Sequence, residues 1–397
     1  MIKDLIKILF FIIIKLIPKK KNLLVFGDRA GRRFADNSRY LYFFMNKYYP
    51  EFKCVWISKN IEILKYLKKN NYLACHSNSI MGIYYCLRAK FHIFNFVEDD
   101  IHKVITLYAD TILLWHGVLP KKLRKIDVKT SRLSQFMNKK MKKFFIYPNE
   151  ELSKNIFDRF PKNKYELLIS NIPRNLIFNK NHSKNMDDFR TNDEIDFINK
   201  IKNEKKNIFG YFPTWRPDGL ELFRDINQPD DLKKINNILK KTNSLLLIKS
   251  HMNSDKKDRN RLYNENIEKI STYMQTLKNF RFINYDFDLN SVLSLCDVLI
   301  SDYSGVIFDY LLQDKAIITY APDYIEFKVN NGFCLDPIEN NFTHYAKNID
   351  ELNGFIAEFC SDKKLFNDKF KDQRKKIKNQ VFLSEEGFDN IINTIKN

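Results

Sequence analysis

Apolar residues in this chain gather in short runs, and each run ends in a polar turn that opens a stretch of helical spacing. The first run is LLVFG at 23–27, a predicted strand, and the helical spacing follows over 36–49. The alternation continues with predicted strands at 52–57, 72–76, 91–96, 111–115 and 144–148, and predicted helices at 60–69 and 80–89. A second series begins with a strand at 208–212, a helix at 231–241 and a strand at 245–249. A long helical stretch over 258–277, strands at 280–285 and 298–300, and AIITYA at 316–321 as the last strand complete it. Short apolar runs alternating with helices predict an α/β protein, its parallel sheets covered by helices on both faces.

A chain of 397 residues calls for two domains. The polar stretch at 179–207 separates the two series. The expected division is a helix at 1–21, an N-terminal domain at 22–185, a C-terminal domain at 205–375 and a C-terminal helix at 376–397 that can pack back on the first domain. Only 10 Gly and 11 Pro argue against long disordered linkers. The formal net charge of +19 changes the picture more, because it favours anionic partners: nucleic acid, an acidic membrane surface or a phosphate-rich substrate. Ten Lys and Arg residues against one acid, Asp127, fall in 119–143, either as a solvated face or as a guide for an anionic acceptor. The six cysteines form no CxxC pair and read as reduced core residues of a cytosolic protein.

The first 21 residues, MIKDLIKILFFIIIKLIPKKK, hold an uncharged run of 7 residues between Lys7 and Lys15. A spanning helix needs about 20 apolar residues. No small-residue cleavage site follows. The expectation is an amphipathic helix in the membrane interface, with Lys19, Lys20 and Lys21 against anionic headgroups.

Four polar stretches sit where predicted strands end: Trp115-His116-Gly117, the PTWRPDG segment at 213–219, Lys249-Ser250-His251, and Ser301-Asp302-Tyr303-Ser304-Gly305. Open parallel sheets bind ligands beyond the carboxyl ends of their strands. A helix start offers free N–H groups to phosphate. These groups point to a cleft between domains, with residues from both sides converging on a diphosphate. A histidine there can take a proton from an attacking hydroxyl or, protonated, offset phosphate charge. Arg216 offers a guanidinium fork and Thr214 a hydroxyl. No HExxH or DxD stands at a strand end, so no metal is expected, and positioning with electrostatic stabilisation carries the chemistry. The chain lacks the GxGxxG of a dinucleotide site after the first strand and the GxSxG of a serine hydrolase.

WHG at 115–117, NIPRN at 171–175, YFPTWRPDG at 211–219, LLIKSH at 246–251, SDYSGVIFDYLLQDKAII at 301–318 and NGF at 331–333 together resemble the CDP-glycerol glycerophosphotransferase family, the teichoic-acid and capsule primases and polymerases. The resemblance covers 113–337. It implies a GT-B-like fold of two Rossmann-like domains, with the nucleotide held mainly by the second. It implies transfer of glycerol phosphate, or a related polyol phosphate, from a CDP-activated donor to a hydroxyl of a lipid-linked or polymeric anionic acceptor, with release of CMP. It also implies peripheral attachment to the cytoplasmic face of a bacterial cell membrane and no cofactor. Carried over by position, His116 is the base, while His251, Arg216 and Thr214 hold the diphosphate. Ser301, Ser304 and Gly305 sit at the phosphate-binding helix start, and Asp302 and Asp309 orient donor hydroxyls or fix the turn. Gly117, Trp215 and Arg174 are further candidates. The chain departs from the family at Val118-Leu119-Pro120-Lys121, where TPLK is common, at His251-Met252 in place of His-Pro, and at Gly305, where a second Ser is usual.

Two other readings stand beside this one. A glycosyltransferase of the same shape would use a nucleotide sugar. A non-enzymatic basic protein would bind nucleic acid, but no aromatic-interleaved RNA motif or recognition helix is present, and no nucleic-acid partner is expected.

Overall fold

The structure, a computed structural model, describes residues 2–123, 131–157, 160, 164–178, 185–214, 229–249, 272–284, 286–383 and 388–397. The chain divides into two compact units. Unit 1 comprises Met1–Gly117, Lys125–Arg190 and Phe382–Asn397, and unit 2 comprises Val118–Arg124 and Thr191–Val381.

Unit 1 is built on seven strands, β1 (Lys20–Gly27), β2 (Lys53–Ser58), β3 (Ala74–His76), β4 (Ala89–Phe94), β5 (Thr111–Leu113), β6 (Lys143–Tyr147) and β7 (Glu166–Ile169). Its first six helices are α1 (Ile2–Leu16), α2 (Asp36–Tyr48), α3 (Ile61–Lys69), α4 (Ile80–Arg88), α5 (Arg132–Lys139) and α6 (Glu150–Phe157). The strands lie in the order β3-β2-β1-β4-β5-β6-β7, and every pairing is parallel. Parallel strands are covered on both faces, which is why runs such as Leu23–Phe26 are apolar without alternation and fully buried. Local signals set the helix starts: the Asn60 side chain accepts from the Glu62 N–H, and Ser79 Oγ from the Gly82 N–H.

Unit 2 repeats the plan with β8 (Asn207–Tyr211), β9 (Ser244–Ile248), β10 (Phe280–Phe282), β11 (Val298–Ser301), β12 (Ile317–Tyr320) and β13 (His344–Ala346). Its helices are α7 (Asn192–Asn203), α8 (Pro229–Lys241), α9 (Leu289–Leu293), α10 (Val306–Leu311), α11 (Tyr324–Asn331), α12 (Ile349–Ser361), α13 (Lys363–Asp368) and α14 (Lys371–Val381). The order is β10-β9-β8-β11-β12-β13, again all parallel. Within each unit the first six strands therefore follow the 3-2-1-4-5-6 order of a doubly wound, Rossmann-like sheet. The order reverses between β1 and β4 in unit 1 and between β8 and β11 in unit 2. Ligands bind such sheets at these switch points, beyond the carboxyl ends.

Several elements differ from the sequence expectation. β7 and β13 were not expected, and AIITYA is not the last strand. The three residues of β13 show no apolar run; the strand is held by pairing with β12 and by the His344 ring, stacked 3.7 Å from that of Phe366. The stretch 186–204, expected between the domains, contains α7, whose capping box of Thr191 and Glu194 starts unit 2. The expected helix at 376–397 is two helices in different units. The chain leaves unit 2 after α14, and α15 (Asp389–Lys396) buries Ile391, Ile392 and Ile395 in the core of unit 1. Asn390 donates to the Ile169 carbonyl at 2.7 Å, fixing α15 beside β7. Most of the expected helix over 258–277 lies outside the described residues. The six cysteines form no disulfide.

His92 on β4 is fully buried. Its Nε2 donates to the Cys86 carbonyl at 2.8 Å, so its Nδ1 accepts from the Thr106 hydroxyl at 3.0 Å. Burial pushes its pKa down to about 3. The unfolded chain takes up this proton near pH 6.5 and the folded protein does not, so stability falls as pH drops below that value. The expected loss is about 2 kcal/mol by pH 5. Urea unfolding at pH 7 and pH 5 should show a flatter pH dependence for His92→Gln than for the parent; equal slopes would place the dependence elsewhere.

Candidate active site

The switch point of unit 2 is closed by hydrogen bonds between its two inner strands. Past β8, the Phe212 N–H donates to the Ile300 carbonyl at 3.0 Å, and Ser301 Oγ donates to the Phe212 carbonyl at 2.6 Å. Asp302 Oδ1 accepts both the N–H and the hydroxyl of Thr214, at 2.8 and 2.5 Å. The next side chain, Tyr303, stacks 3.8 Å from Phe327 and donates to Asp323 at 2.9 Å. These contacts revise the sequence reading of the turn. Ser301 and Asp309 are almost wholly buried, and Ser301 and Asp302 secure the 212–214 loop. The Thr214 hydroxyl, expected to donate to phosphate, is engaged by Asp302.

Ser304 and Gly305 are half-buried. The backbone N–H groups of both have no acceptor among the described residues, and the Val306 N–H reaches only Ser304 Oγ at 3.4 Å. Two adjacent unengaged amides at the carboxyl end of β11 form a place for an anion. Gly305 has φ −61°, so its backbone does not require glycine. The space does: a Cβ there would lie 2.4 Å from the Val118 carbonyl oxygen. The segment beginning at Val118 is clasped to the NGF motif. The Pro120 carbonyl accepts from the N–H groups of Cys334 and Leu335, at 2.7 and 3.1 Å, and the Lys122 N–H donates to the Gly332 carbonyl at 3.1 Å.

In unit 1 the WHG loop follows β5 and is gripped from two sides. Trp115 adopts φ +59°, a left-handed conformation unusual for a bulky residue. Its carbonyl accepts from Asn37 Nδ2 at 2.8 Å. The His116 carbonyl accepts from Arg174 Nη1 at 2.9 Å. The same Nη1 meets Asp36 Oδ1 at 3.0 Å, and the Arg174 N–H donates to Asn37 Oδ1 at 2.9 Å. Gly117 has φ +106°, and a Cβ on it would fall 1.9 Å from Arg174 Nη2. The His116 ring is half-buried and packs 4.2 Å from the Trp115 ring and 5.5 Å from that of Phe96. Backbone strain of this kind persists only where the surroundings over-determine it. Here Asp36, Asn37 and Arg174 do so.

Asp36 and Asn37 did not stand out in the sequence. Their signal was positional: they open the first helix after the first strand, on the edge where ligands bind. Asp28, at the end of β1, was also missed. It is buried, accepts from Asn95 Nδ2 at 2.8 Å, and is held well above the usual carboxylate range by burial and by the nearby charges of Asp36 and Asp100. Trp215, Arg216 and His251 lie outside the described residues. Among the described residues no group of three His, Cys, Asp or Glu side chains is arranged to hold a metal.

Two parallel doubly wound units, each with its polar groups beyond the carboxyl ends of its strands, define a GT-B-like architecture. The family model for CDP-Glycerol:Poly(glycerophosphate) glycerophosphotransferase matches residues 8–387, and the chain belongs to that family of transferases. It is 27% identical to the teichoic acid poly(glycerol phosphate) polymerase of Bacillus spizizenii over 82% of this chain and 80% of the relative. It is 23% identical to the teichoic acid glycerol-phosphate transferase of Staphylococcus aureus over 93% of this chain and 94% of the relative. It spans 48% of the teichoic acid poly(glycerol phosphate) polymerase of Staphylococcus epidermidis, at 25% identity. Its fold is similar to the solved structure of the wall teichoic acid polymerase TagF, with TM-score 0.66 and 19% identity over 99% of this chain and 93% of that one.

The Val118 carbonyl occupies the space that a side chain at position 305 would need. Gly305→Ser should therefore destabilise unit 2 by about 1–3 kcal/mol in denaturant unfolding. Unchanged stability would mean that the Val118 segment yields without cost.

Proposed function

We propose that this enzyme moves glycerol phosphate or ribitol phosphate from its CDP-linked form to a hydroxyl of a lipid-linked or polymeric teichoic-acid-type acceptor. The acceptor oxygen attacks the phosphorus that carries the polyol. A new P–O bond forms, the P–O bond to CMP breaks, and the hydroxyl proton passes to His116. The observation that carries the donor half is the pair of unengaged amides at Ser304 and Gly305, sited at a switch point where doubly wound sheets take phosphates. The base assignment is supported by the brace on Trp115-His116-Gly117, which fixes the backbone of a half-buried histidine in a strained loop. Arg216 and His251 keep the diphosphate-holding roles implied by the family motifs. No metal is assigned to the reaction, since no DxD or HExxH stands at a strand end.

The acceptor is proposed to be presented at the cytoplasmic face of the membrane, with the protein attached peripherally through α1. Its support is the outward exposure of Ile8, Leu9, Phe10, Ile12, Ile13 and Leu16 beside Lys15 and Lys19. No helix among the described residues is long and apolar enough to cross a membrane.

Purified protein supplied with CDP-glycerol, CDP-ribitol and a panel of nucleotide sugars should release CMP from a CDP-polyol and leave the sugar donors intact, with EDTA present or absent. Turnover of a sugar donor alone would replace this reading with glycosyl transfer. His116→Ala should lower turnover by about 10²-fold or more while donor binding persists. Near-normal turnover would remove His116 from the role of base.

A further inference from the structure

At the switch point of unit 1, between β1 and β4, the loop that follows β1 reads Asp28-Arg29-Ala30-Gly31-Arg32-Arg33. Its backbone is strained: Arg29 and Ala30 take φ +46° and +54°, left-handed values unfavourable for any residue with a Cβ. Several partners hold it there. The Ala30 N–H donates to Asp100 Oδ1 at 2.8 Å and the Gly31 N–H to the Asp28 carbonyl at 2.9 Å. The Gly31 carbonyl accepts from Ser58 Oγ at 2.7 Å and from the Lys59 N–H at 2.6 Å. Strain over-determined in this way motivates a search for function. The residue held by it is Arg29, half-buried, whose guanidinium has no hydrogen-bond or ion-pair partner among the described residues.

Two acids, Asp28 and Asp100, lie close enough to feel the Arg29 charge, yet neither pairs with it. Asp100 spends Oδ1 on Ala30 and Oδ2 on the N–H groups of Phe96 and Val97, at 2.8 and 3.2 Å. Asp28 is 1% exposed; its Oδ1 accepts from Asn95 Nδ2, and its Oδ2 bonds nothing among the described residues. Burial, together with the charges of Asp36 and Asp100, favours the neutral Asp28 acid and outweighs the opposite pull of Arg29. The cation is left uncompensated. Arg32, three positions on, is exposed and also unpaired among the described residues. A guanidinium fork with no protein partner, beyond the carboxyl end of a doubly wound sheet, suits a phosphate group. The same region carries the histidine loop. α2 begins seven positions after Arg29; its Asn37 donates to the Trp115 carbonyl, and its Asp36 pairs with the Arg174 that donates to the His116 carbonyl.

We infer that the loop after β1 is the subsite for a phosphodiester of the acceptor, gripped by the guanidinium of Arg29 with Arg32 in support. A polyol phosphate chain carries a phosphodiester next to its terminal hydroxyls. The subsite therefore distinguishes a phosphorylated acceptor from a neutral one, and holds its end on the helix start that also holds the histidine loop. Asp28 keeps the place free of a competing negative charge. The identity of the phosphate rests on the proposed transfer to a teichoic-acid-type acceptor; the cationic subsite rests on unit 1 alone.

The test is equilibrium binding of a soluble, lipid-free glycerol phosphate oligomer to the full-length protein, measured by calorimetry beside CDP-glycerol. Arg29→Met should weaken oligomer binding by about tenfold or more, the size expected for a hydrogen-bonded charge. The melting temperature should stay at the parental value, because the guanidinium holds nothing in the protein. Arg29→Lys should recover part of the lost affinity. If Met harms folding, Arg29→Asn, which tolerates a left-handed backbone, serves in its place. In turnover, Arg29→Met should raise the KM for the oligomer and leave the KM for CDP-glycerol in place, while a phosphate-free polyol acceptor of similar length loses far less. Absence of oligomer binding to the parent, or equal binding by the parent and a folded variant, would overturn the subsite. So would a loss confined to CDP-glycerol, which assigns Arg29 to the donor. Arg29-dependent oligomer binding by a protein that releases no CMP from a CDP-polyol would uphold the subsite and refute the transfer reaction, so the two can fail separately.

Discussion

The ion pair of Arg174 with Asp36 is the contact on which the edge of unit 1 that carries His116 depends. Both side chains are nearly buried, at 11% and 10% exposure. Removing one partner of such a pair leaves a charge in a low-dielectric setting without compensation, which is far costlier than losing a surface pair. The Arg174 Nη1 that meets Asp36 also donates to the His116 carbonyl, and the Arg174 backbone N–H donates to Asn37 Oδ1. Arg174, through its guanidinium and its backbone N–H, therefore ties the start of α2, the loop after β5 and the 173–178 turn together. The base role proposed for His116 needs that restraint, because a base must hold a nitrogen within hydrogen-bond reach of the proton it removes.

The repeated α/β alternation was legible because buried parallel strands must be apolar on both faces and their covering helices on one. The same logic picked out the edge that carries the strand-end polar residues. It did not reveal what each polar group bonds. Ser301, Thr214 and Asp302 were recognisable as strand-end polar residues, yet their hydrogen bonds run to partners 88 and 89 positions away. Asn37 meets Trp115 across 78 positions. Spacing along the chain carries no trace of such pairings. β7 and β13 escaped notice for a different reason: each is short, and β13 is polar at its first position, so pairing and not pattern makes it a strand.

The departures from the family motif also become physical once the fold is known. Gly305 and the segment that begins at Val118, two of the departures, touch: the residue without a side chain leaves room for the Val118 carbonyl. The NGF motif then gains a purpose as the strand-like partner of that segment, through the Lys121 and Phe333 bridge. Two positions that read in the sequence as separate deviations are neighbours in the fold.

The chain passes between the two units at four points, after Gly117, Arg124, Arg190 and Val381. Neither unit is a continuous piece of polypeptide. Unit 1 lacks Phe388, Ile391, Ile392 and Ile395 of its core until α15 has been synthesised. Its apolar face beside β7 stays uncovered while all of unit 2 is being translated. Domains usually fold in order as they emerge from the ribosome. This topology works against that order: the unit made first is completed last, and its interval of exposure is set by the length of chain between Arg190 and Phe382.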